Sequence, residues 1–309
     1  MNSIGIVHNP FARRNLKEKH LAGHLKTLIA GRGDLYQTGH RDELVALAEH
    51  CLKRNLPVLG INGGDGSIHA VLTAFVSVYG NRKLPRFLIL RGGTMNTVSK
   101  SLGLSGSPDS ILRKWIDNQL TGKTNVLRQA TLNVNGKIGF IAGAGVVTRF
   151  LDKYYEGGRT GALKALSMVG TIVPGAVFGS KSVKHMFSPV PMNVIHEGRD
   201  LGKPSYTAVL ASTVREVGLG FRLTSRCYEK PGSFHLIAAD IPPLALVPRI
   251  YPLWAGKDPN HPGFLHHGPS HSTTIKHNGL LRWMMDGDMY ETEKDLVISM
   301  GPVVEVVVV

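Results

Sequence analysis

The chain has 309 residues, 42% of them apolar and 19% charged, which excludes wholesale disorder and, at this length, argues for two hydrophobic cores. A formal charge of +14 directs attention to anionic partners: nucleic acid, an acidic membrane surface or phosphorylated molecules. Two cysteines, Cys51 and Cys227, exclude a disulfide framework and read as reduced thiols.

The opening MNSIGIVHNP enters a short apolar strand with no basic n-region, long apolar core or cleavage site, so no signal peptide is expected. From Ser3 to about Thr124 strand and helix patterns alternate. Ser3 to Val7 is a strand, and Leu16, Leu21, Leu25, Leu28 and Ile29 mark a helix. Leu35 to Gln37 is a second strand, followed by a helix with Leu44, Val45, Leu47, Ala48, Cys51 and Leu52 on one side. Pro57 to Ile61 is a third strand. After Ser67, the residues Ile68, Val71, Leu72, Phe75, Val76 and Tyr79 keep the spacing of an amphipathic helix. Phe87 to Leu90 is a fourth strand, and Ser107-Pro108 opens a last helix, serine as N-cap and proline at the first helical position. This alternation predicts a parallel sheet with helices on both faces, and ligands at the carboxyl ends of its strands.

After about Asn125 the rhythm changes. Asn135-Gly136 between two short apolar runs predicts a hairpin with a type I′ turn. Strands are also expected at Met192 to Ile195, Thr207 to Ala211, Ser233 to Ala238, Leu280 to Met285 and Val303 to Val309. A helical, apolar insert runs from Val146 to Phe178. Its Ala162–Phe178 portion, with Lys164, Pro174 and two glycines, falls short of the roughly 20 apolar residues of a membrane span. A soluble, cytoplasmic protein is expected. Trp254 to Asn278, rich in Gly, Pro and His, reads as a loop. The expected domains are 1–124, α/β, and 125–309, a mainly-β sandwich whose last strand can return to the first domain.

Chemistry concentrates in two turns. Pro57-Val-Leu-Gly-Ile-Asn-Gly-Gly-Asp-Gly-Ser67 runs from a strand through Gly63, Gly64, Asp65 and Gly66 into a helix. Glycines let backbone N–H groups approach an anion, the helix dipole favours it, and Ser67 can act as N-cap and as a phosphate donor. Asp65 repels phosphate and makes sense if Mg²⁺ lies between them; an ordinary strand-to-helix turn is the plain alternative. One strand later, Gly92 and Gly93 repeat the close approach, with Thr94 and Asn96 as side-chain donors. Two such turns on successive strands would wall one crevice.

GGDGS at 63–67, GGTMN at 92–96 and Asn9-Pro10 resemble the GGDGT, GTxN and NP motifs of the diacylglycerol kinase catalytic domain family. Thr38 resembles a nucleotide-contacting threonine of that family, and Trp283 to Asp288 resembles its late DGE motif. The resemblance implies an α/β nucleotide-binding domain of the NAD kinase and diacylglycerol kinase type. In it Asn9, Thr38, Gly63, Gly64, Asp65, Gly66, Ser67, Gly92, Gly93, Thr94 and Asn96 would hold ATP, with Asp65 at Mg²⁺. It further implies that Asp286 is the general base for a lipid hydroxyl, with Asp288 in a supporting electrostatic role. A hairpin turn is the plain reading of Asp286-Gly287-Asp288. The sequence departs from the family pattern at Ala70, Arg91, Thr97 and Asp288, and Glu229 to Gly232 lacks the aspartates of a structural Mg²⁺ segment, so that site is not carried over.

The expected function is therefore ATP-dependent phosphorylation of a lipid hydroxyl by an enzyme peripheral to the inner face of the cell membrane. Its partners would be the lipid substrate and the anionic membrane surface, not nucleic acid; a homodimer is compatible with it. Leu151, Tyr154, Tyr155, Leu163, Leu166, Met168 and Val169 are candidates for acyl-chain contact, against packing on their own core. An NAD kinase-like enzyme and a catalytically weak lipid-binding regulator are the alternatives. His261, His266, His267, His271 and His277 crowd the expected loop without a recognised metal spacing, so a solvated loop competes with metal or acidic-lipid contact.

Overall fold

The computed structural model describes residues 3–157 and 161–309. They form two compact units: residues up to Thr131 with Gly136–Gly139 and Pro302–Val309, and Leu132–Asn135 with Phe140–Gly301.

The first unit is built from β1 (Ile4–His8), α1 (Arg13–Lys17), α2 (Leu21–Leu28), β2 (Gly33–Gln37), α3 (Arg41–Lys53), β3 (Val58–Asn62), α4 (Asp65–Tyr79), β4 (Arg86–Ile89), α5 (Thr97–Ser101) and α6 (Pro108–Leu120). Its strands are parallel in the order β4-β3-β1-β2, and Val306 near the chain's end pairs parallel with Phe87 on β4. The strands are nearly continuous apolar runs because helices cover both faces. On one face Ile4, Ile6, Val58, Leu88 and Leu90 pack with Leu21, Leu25, Ile111, Leu112 and Trp115 of α2 and α6. Alternation sends Leu59, Ile61 and Phe87 to the other face, where the Phe87 ring lies 6.3 Å from that of Phe75 on α4. The helix-spaced residues Ile68, Val71, Leu72, Phe75 and Tyr79 are all buried. Ser107 caps α6, its hydroxyl accepting the Ser110 N–H.

The long strand β5 (Asn125–Val134) leads through Asn135 and Gly136, at φ 47° and 84°, into β6 (Lys137–Gly139). Both turn residues at positive φ are what a type I′ turn requires.

The second unit continues with β7 (Ile141–Gly145), α7 (Val146–Tyr155), α8 (Ala162–Val177), α9 (Lys181–Met186), β8 (Val190–Pro191), β9 (Asn193–His196), β10 (Arg199–Asp200), β11 (Ser205–Tyr206), β12 (Ala208–Ser212) and β13 (Phe234–Ala239). After α10 (Pro243–Leu246) and α11 (Ile250–Trp254) come β14 (Phe264–Ser270), β15 (Ser272–Lys276), β16 (Leu281–Met285), β17 (Asp288–Thr292) and β18 (Leu296–Val308). One antiparallel sheet has the order β14-β13-β12-β7-β16-β17. A shared core joins it to a second layer: Ala142, Val209, Phe234, Leu236 and Trp283 from this sheet pack with Val194, Ile275, Leu296 and Ile298. The α/β unit plus mainly-β unit with a helical insert is the architecture the sequence pattern implied. Residues 158–160 of that insert lie outside the described residues. Among the described residues no helix is long and apolar enough to cross a membrane.

The segment 254–278 corrects the sequence reading, because it contains β14 and β15 rather than a loop. Gly268 and Pro269 suggested a break, yet β14 is the edge of its sheet, where proline is tolerated. His266 and His267 are half-buried on this strand.

Trp115 is 1% exposed in the first core, and its indole N–H has no hydrogen-bond partner among the described residues. Trp115→Ala should therefore destabilise by about 3–5 kcal/mol. Trp115→Phe, which gives up no hydrogen bond, should cost under about 1.5 kcal/mol. Denaturant unfolding followed by circular dichroism measures both.

Candidate functional site

The carboxyl ends of β2, β1, β3 and β4 each deliver one of the predicted segments: Thr38, Asn9, Gly63 to Ser67 and Gly92 to Asn96. In the order β4-β3-β1-β2 the connections change direction between β1 and β3, the switch point where open α/β sheets bind ligands. Asn9 and Ser67 meet across that point, the Asn9 amide donating to Ser67 Oγ at 2.8 Å. Asn9 Oδ1 accepts the Phe11 N–H at 2.9 Å, which turns the chain away after Pro10. Thr38 is tied by its N–H to the His8 carbonyl at 3.1 Å.

The two glycine turns touch each other. A Cβ on Gly93 would stand 2.5 Å from Gly64 Cα, and one on Gly63 would stand 2.3 Å from Ser67 Cβ. A Cβ on Gly92 would meet Asn62 Oδ1 at 2.4 Å and Asn15 Oδ1 at 2.9 Å. The glycines thus permit the approach of turn to turn, besides any approach to a ligand.

Sequence reasoning missed the polar support beneath these turns. Asn15, from α1, is 4% exposed and donates to the carbonyls of Asn9 at 2.7 Å and Asn62 at 3.1 Å. Asn62, fully buried at the end of β3, donates to His8 Nδ1 at 2.8 Å. Burial lowers the His8 pKa, in keeping with a neutral ring that accepts this bond. An asparagine closing the apolar run VLGI was a signal for Asn62; nothing local marked Asn15.

Asp65 begins α4, three residues earlier than a Ser67 N-cap would allow, so Ser67 is inside the helix and not its cap. Each Asp65 carboxylate oxygen accepts one backbone N–H of α5, from Thr97 at 2.8 Å and Val98 at 3.0 Å. Burial pushes the carboxyl above its usual range, and these donors oppose the shift. Asn96, at φ 48°, folds its side chain onto its own turn, accepting the Gly93 N–H at 3.2 Å and donating to the Gly93 carbonyl at 2.8 Å. Thr94 is exposed. The N-terminus of α4 has no side-chain cap, so the N–H groups of its first turn face outward without intrahelical partners.

Residues 3–127 match the family model described as the diacylglycerol kinase catalytic domain. That stretch is of the diacylglycerol kinase catalytic type. No curated protein matches the chain. Among solved structures, a diacylglycerol kinase from Bacillus anthracis is similar at 12% identity and a TM-score of 0.66, covering 99% of this chain and 96% of its own. A second, provisionally named diacylglycerol kinase of that organism is similar at 15% identity and a TM-score of 0.70, with the same coverage. These likenesses concern the fold along the whole chain.

Two departures from the diacylglycerol kinase pattern have a local reason. Arg91, where the family has proline, lies at φ 57°, a backbone angle closed to proline. Thr97, where the family has aspartate, bonds Asp65 with its side-chain hydroxyl as well as its N–H, which a second carboxylate could not do. In the second unit Asp286 and Gly287, at φ 47° and 89°, form the tight turn between β16 and β17. Asp286 is 5% exposed; its Oδ1 accepts the Ile141 N–H at 2.9 Å and its Oδ2 the Phe140 N–H at 3.0 Å. Asp288 is half-buried at the start of β17.

The contact between turns gives a paired expectation. Gly93→Ala drives a methyl into backbone and should lower stability by about 1–3 kcal/mol. Gly64→Ala, whose Cβ would lie 3.4 Å from Gly93 Cα at a φ of −92°, should be tolerated far better. Thermal melts of the two variants side by side measure the difference.

Proposed function

We propose that the protein is an ATP-dependent lipid kinase that passes the γ-phosphate of ATP to a lipid hydroxyl at an anionic membrane surface. The supporting observation is the closed switch point: Asn9 bonded to Ser67 beside the uncapped N-terminus of α4, under two glycine turns in contact. The match of residues 3–127 to the diacylglycerol kinase catalytic domain supports the same reading.

The residues present fit a polyphosphate with Mg²⁺. The N–H groups at a helix start suit phosphate. Asp65 keeps a lone pair after accepting the Thr97 and Val98 N–H groups and the Thr97 side chain, and Mg²⁺ is commonly held by one or two carboxylates plus substrate phosphates. Bound Mg-ATP would supply the phosphoryl group and neutralise its charge. Asn9, Thr38, Ser67 and Thr94 would orient the nucleotide, while Asn96 shapes its turn. Asp286 would take the proton of the lipid hydroxyl at its carboxylate, which the Phe140 and Ile141 N–H groups hold in place. Asp288 would support it electrostatically.

The helical insert suits the membrane side. On α8 and just beyond it, Leu163, Leu166, Val177 and Phe178 are 84%, 59%, 55% and 86% exposed, at helical spacing. Lys164, Lys181 and Lys184 are close to them in sequence, in a chain of charge +14. An exposed apolar stripe with lysines nearby in the chain suits an acidic bilayer surface. Tyr154 and Met168 are buried and drop out as acyl contacts.

A second reading, a binding protein without transfer, is favoured by one observation: the carboxylates of both Asp65 and Asp286 serve backbone N–H groups.

Incubation with labelled ATP, Mg²⁺ and a panel of diacylglycerol, sphingosine, ceramide and phosphatidylglycerol should label one lipid class. Asp286→Asn should lower kcat by about 10²- to 10⁴-fold with ATP affinity kept, and Asp288→Asn should lower it less. A melt must accompany Asp286→Asn, because its new amide faces the Phe140 or Ile141 N–H. Label on NAD in place of lipid, or tight ATP binding with no transfer, would sink the proposal. Vesicle binding should rise with anionic lipid content and weaken with salt, as expected for attraction screened over about 10 Å at 0.1 M.

A further inference from the structure

The turn that carries Asp286 is braced from outside its own hairpin, by α7. The chain reverses at Gly145, where φ is 80° and a Cβ would stand 2.3 Å from the Thr207 carbonyl oxygen, so only glycine lets α7 fold back over β7. The ten residues of α7 rise about 15 Å and the five of β7 about 17 Å. The last turn of the helix therefore returns to the level of Ile141, where the Asp286 carboxylate is bonded. α7 packs against both β7 and β16.

Asp152 and Tyr155 are three residues apart and share one face of α7. Asp152 takes Arg282 of β16 in a two-pronged ion pair, at 2.8 and 2.9 Å. The Tyr155 hydroxyl donates to the Gly287 carbonyl at 3.1 Å. A Cβ on Gly287 would meet that hydroxyl at 3.2 Å, so the close approach again uses a glycine. The bond fixes the peptide between Gly287 and Asp288, while the Phe140 and Ile141 N–H groups hold the Asp286 carboxylate. Lys153 donates to Ser182 of α9 at 3.0 Å, and the Tyr154 hydroxyl accepts the Gly161 N–H at 2.8 Å, which makes this end of α7 a fixed support.

Stability alone gives these contacts little reason to exist. Tyr155 is 47% exposed, and the Asp152–Arg282 pair is also open to solvent, where ion pairs contribute little. Their effect is on orientation. Asp286 sits at φ 47°, a region that L-residues disfavour, so the turn has a reason to relax if its brace is removed.

We propose that Tyr155 is a positioning residue for Asp286: by holding the Gly287 carbonyl it keeps the turn in the conformation that presents the carboxylate. The hydroxyl acts through the turn, not on substrate. This rests on the reading of Asp286 as the base for a lipid hydroxyl.

Tyr155→Phe, which keeps the ring and removes only the hydroxyl, tests it in the labelled-ATP assay, with Tyr251→Phe on α11 as the control. In Tyr155→Phe, kcat should fall about 2- to 10-fold, the size of one ordinary hydrogen bond, with both KM values and the melting temperature kept. In an Asp286→Asn background the same change should cost nothing further, because a residue acting through the carboxylate loses its effect once that group is gone. Hydrogen exchange should show the amides of 286–289 opening faster in Tyr155→Phe. An unchanged kcat overturns the proposal. So does a raised lipid KM with kcat kept, which would make Tyr155 a lipid contact, or an equal loss in both backgrounds, which would make its role structural. A wild type that labels no lipid would instead remove the reading of Asp286 as base, leaving the exchange rates to show whether Tyr155 braces the turn.

Discussion

Gly64 and Gly93 lie backbone against backbone, and the rest of the first unit's site depends on that distance. Parallel strands about 4.8 Å apart deliver two turns side by side, and only residues without a Cβ can let them settle into contact. Once they touch, the oxygens of Asn15 and Asn62 close over Gly92, and Asn15 ties the ends of β1 and β3 together from below. The crevice therefore rests on a small polar knot inside an apolar sheet. Each amide nitrogen in the knot has an acceptor, whereas the buried oxygens Asn15 Oδ1 and Asn62 Oδ1 have no hydrogen-bond partner among the described residues.

Carboxylates do similar structural work in both units. Asp65 supplies the start of α5 with acceptors, and α5, at five residues, has no cap of its own. Asp286 accepts the N–H groups of Phe140 and Ile141 that lead into β7. In each case an acid from one turn holds a distant segment in place, and its charge is stabilised by the same N–H groups. Such a group is positioned before any substrate arrives, which suits a reaction that depends on placement and charge more than on covalent chemistry. It also means that removing either acid disturbs structure and chemistry together.

The parts legible in the sequence were those written in neighbouring residues. The helix after the first glycine turn announced itself through Ile68, Val71, Leu72, Phe75 and Tyr79, and Ser107-Pro108 and Asn135-Gly136 carried their own geometry. Partners far apart along the chain were not legible. Asp65 and Val98 are 33 residues apart, Asp286 and Phe140 146, and no periodicity relates them. The strand bearing His266 and His267 was missed because histidine has no strong strand signature and its neighbours Gly268 and Pro269 mimic a break. Edge position resolved that conflict, and edge position is a property of the sheet, not of the segment.

The first unit is completed by Pro302–Val309, with Val307 in its core and Val306 beside Phe87. The matched catalytic segment, 3–127, is thus shorter than the folding unit that contains it. During synthesis at about 5–20 residues per second, residues 140–301 must be made between the two parts of that unit, a wait on the order of ten seconds or more. For that interval the nascent first unit presents an unpaired β4 edge, a surface that invites other strands or a chaperone. An excised fragment ending at residue 127 would carry that open edge permanently.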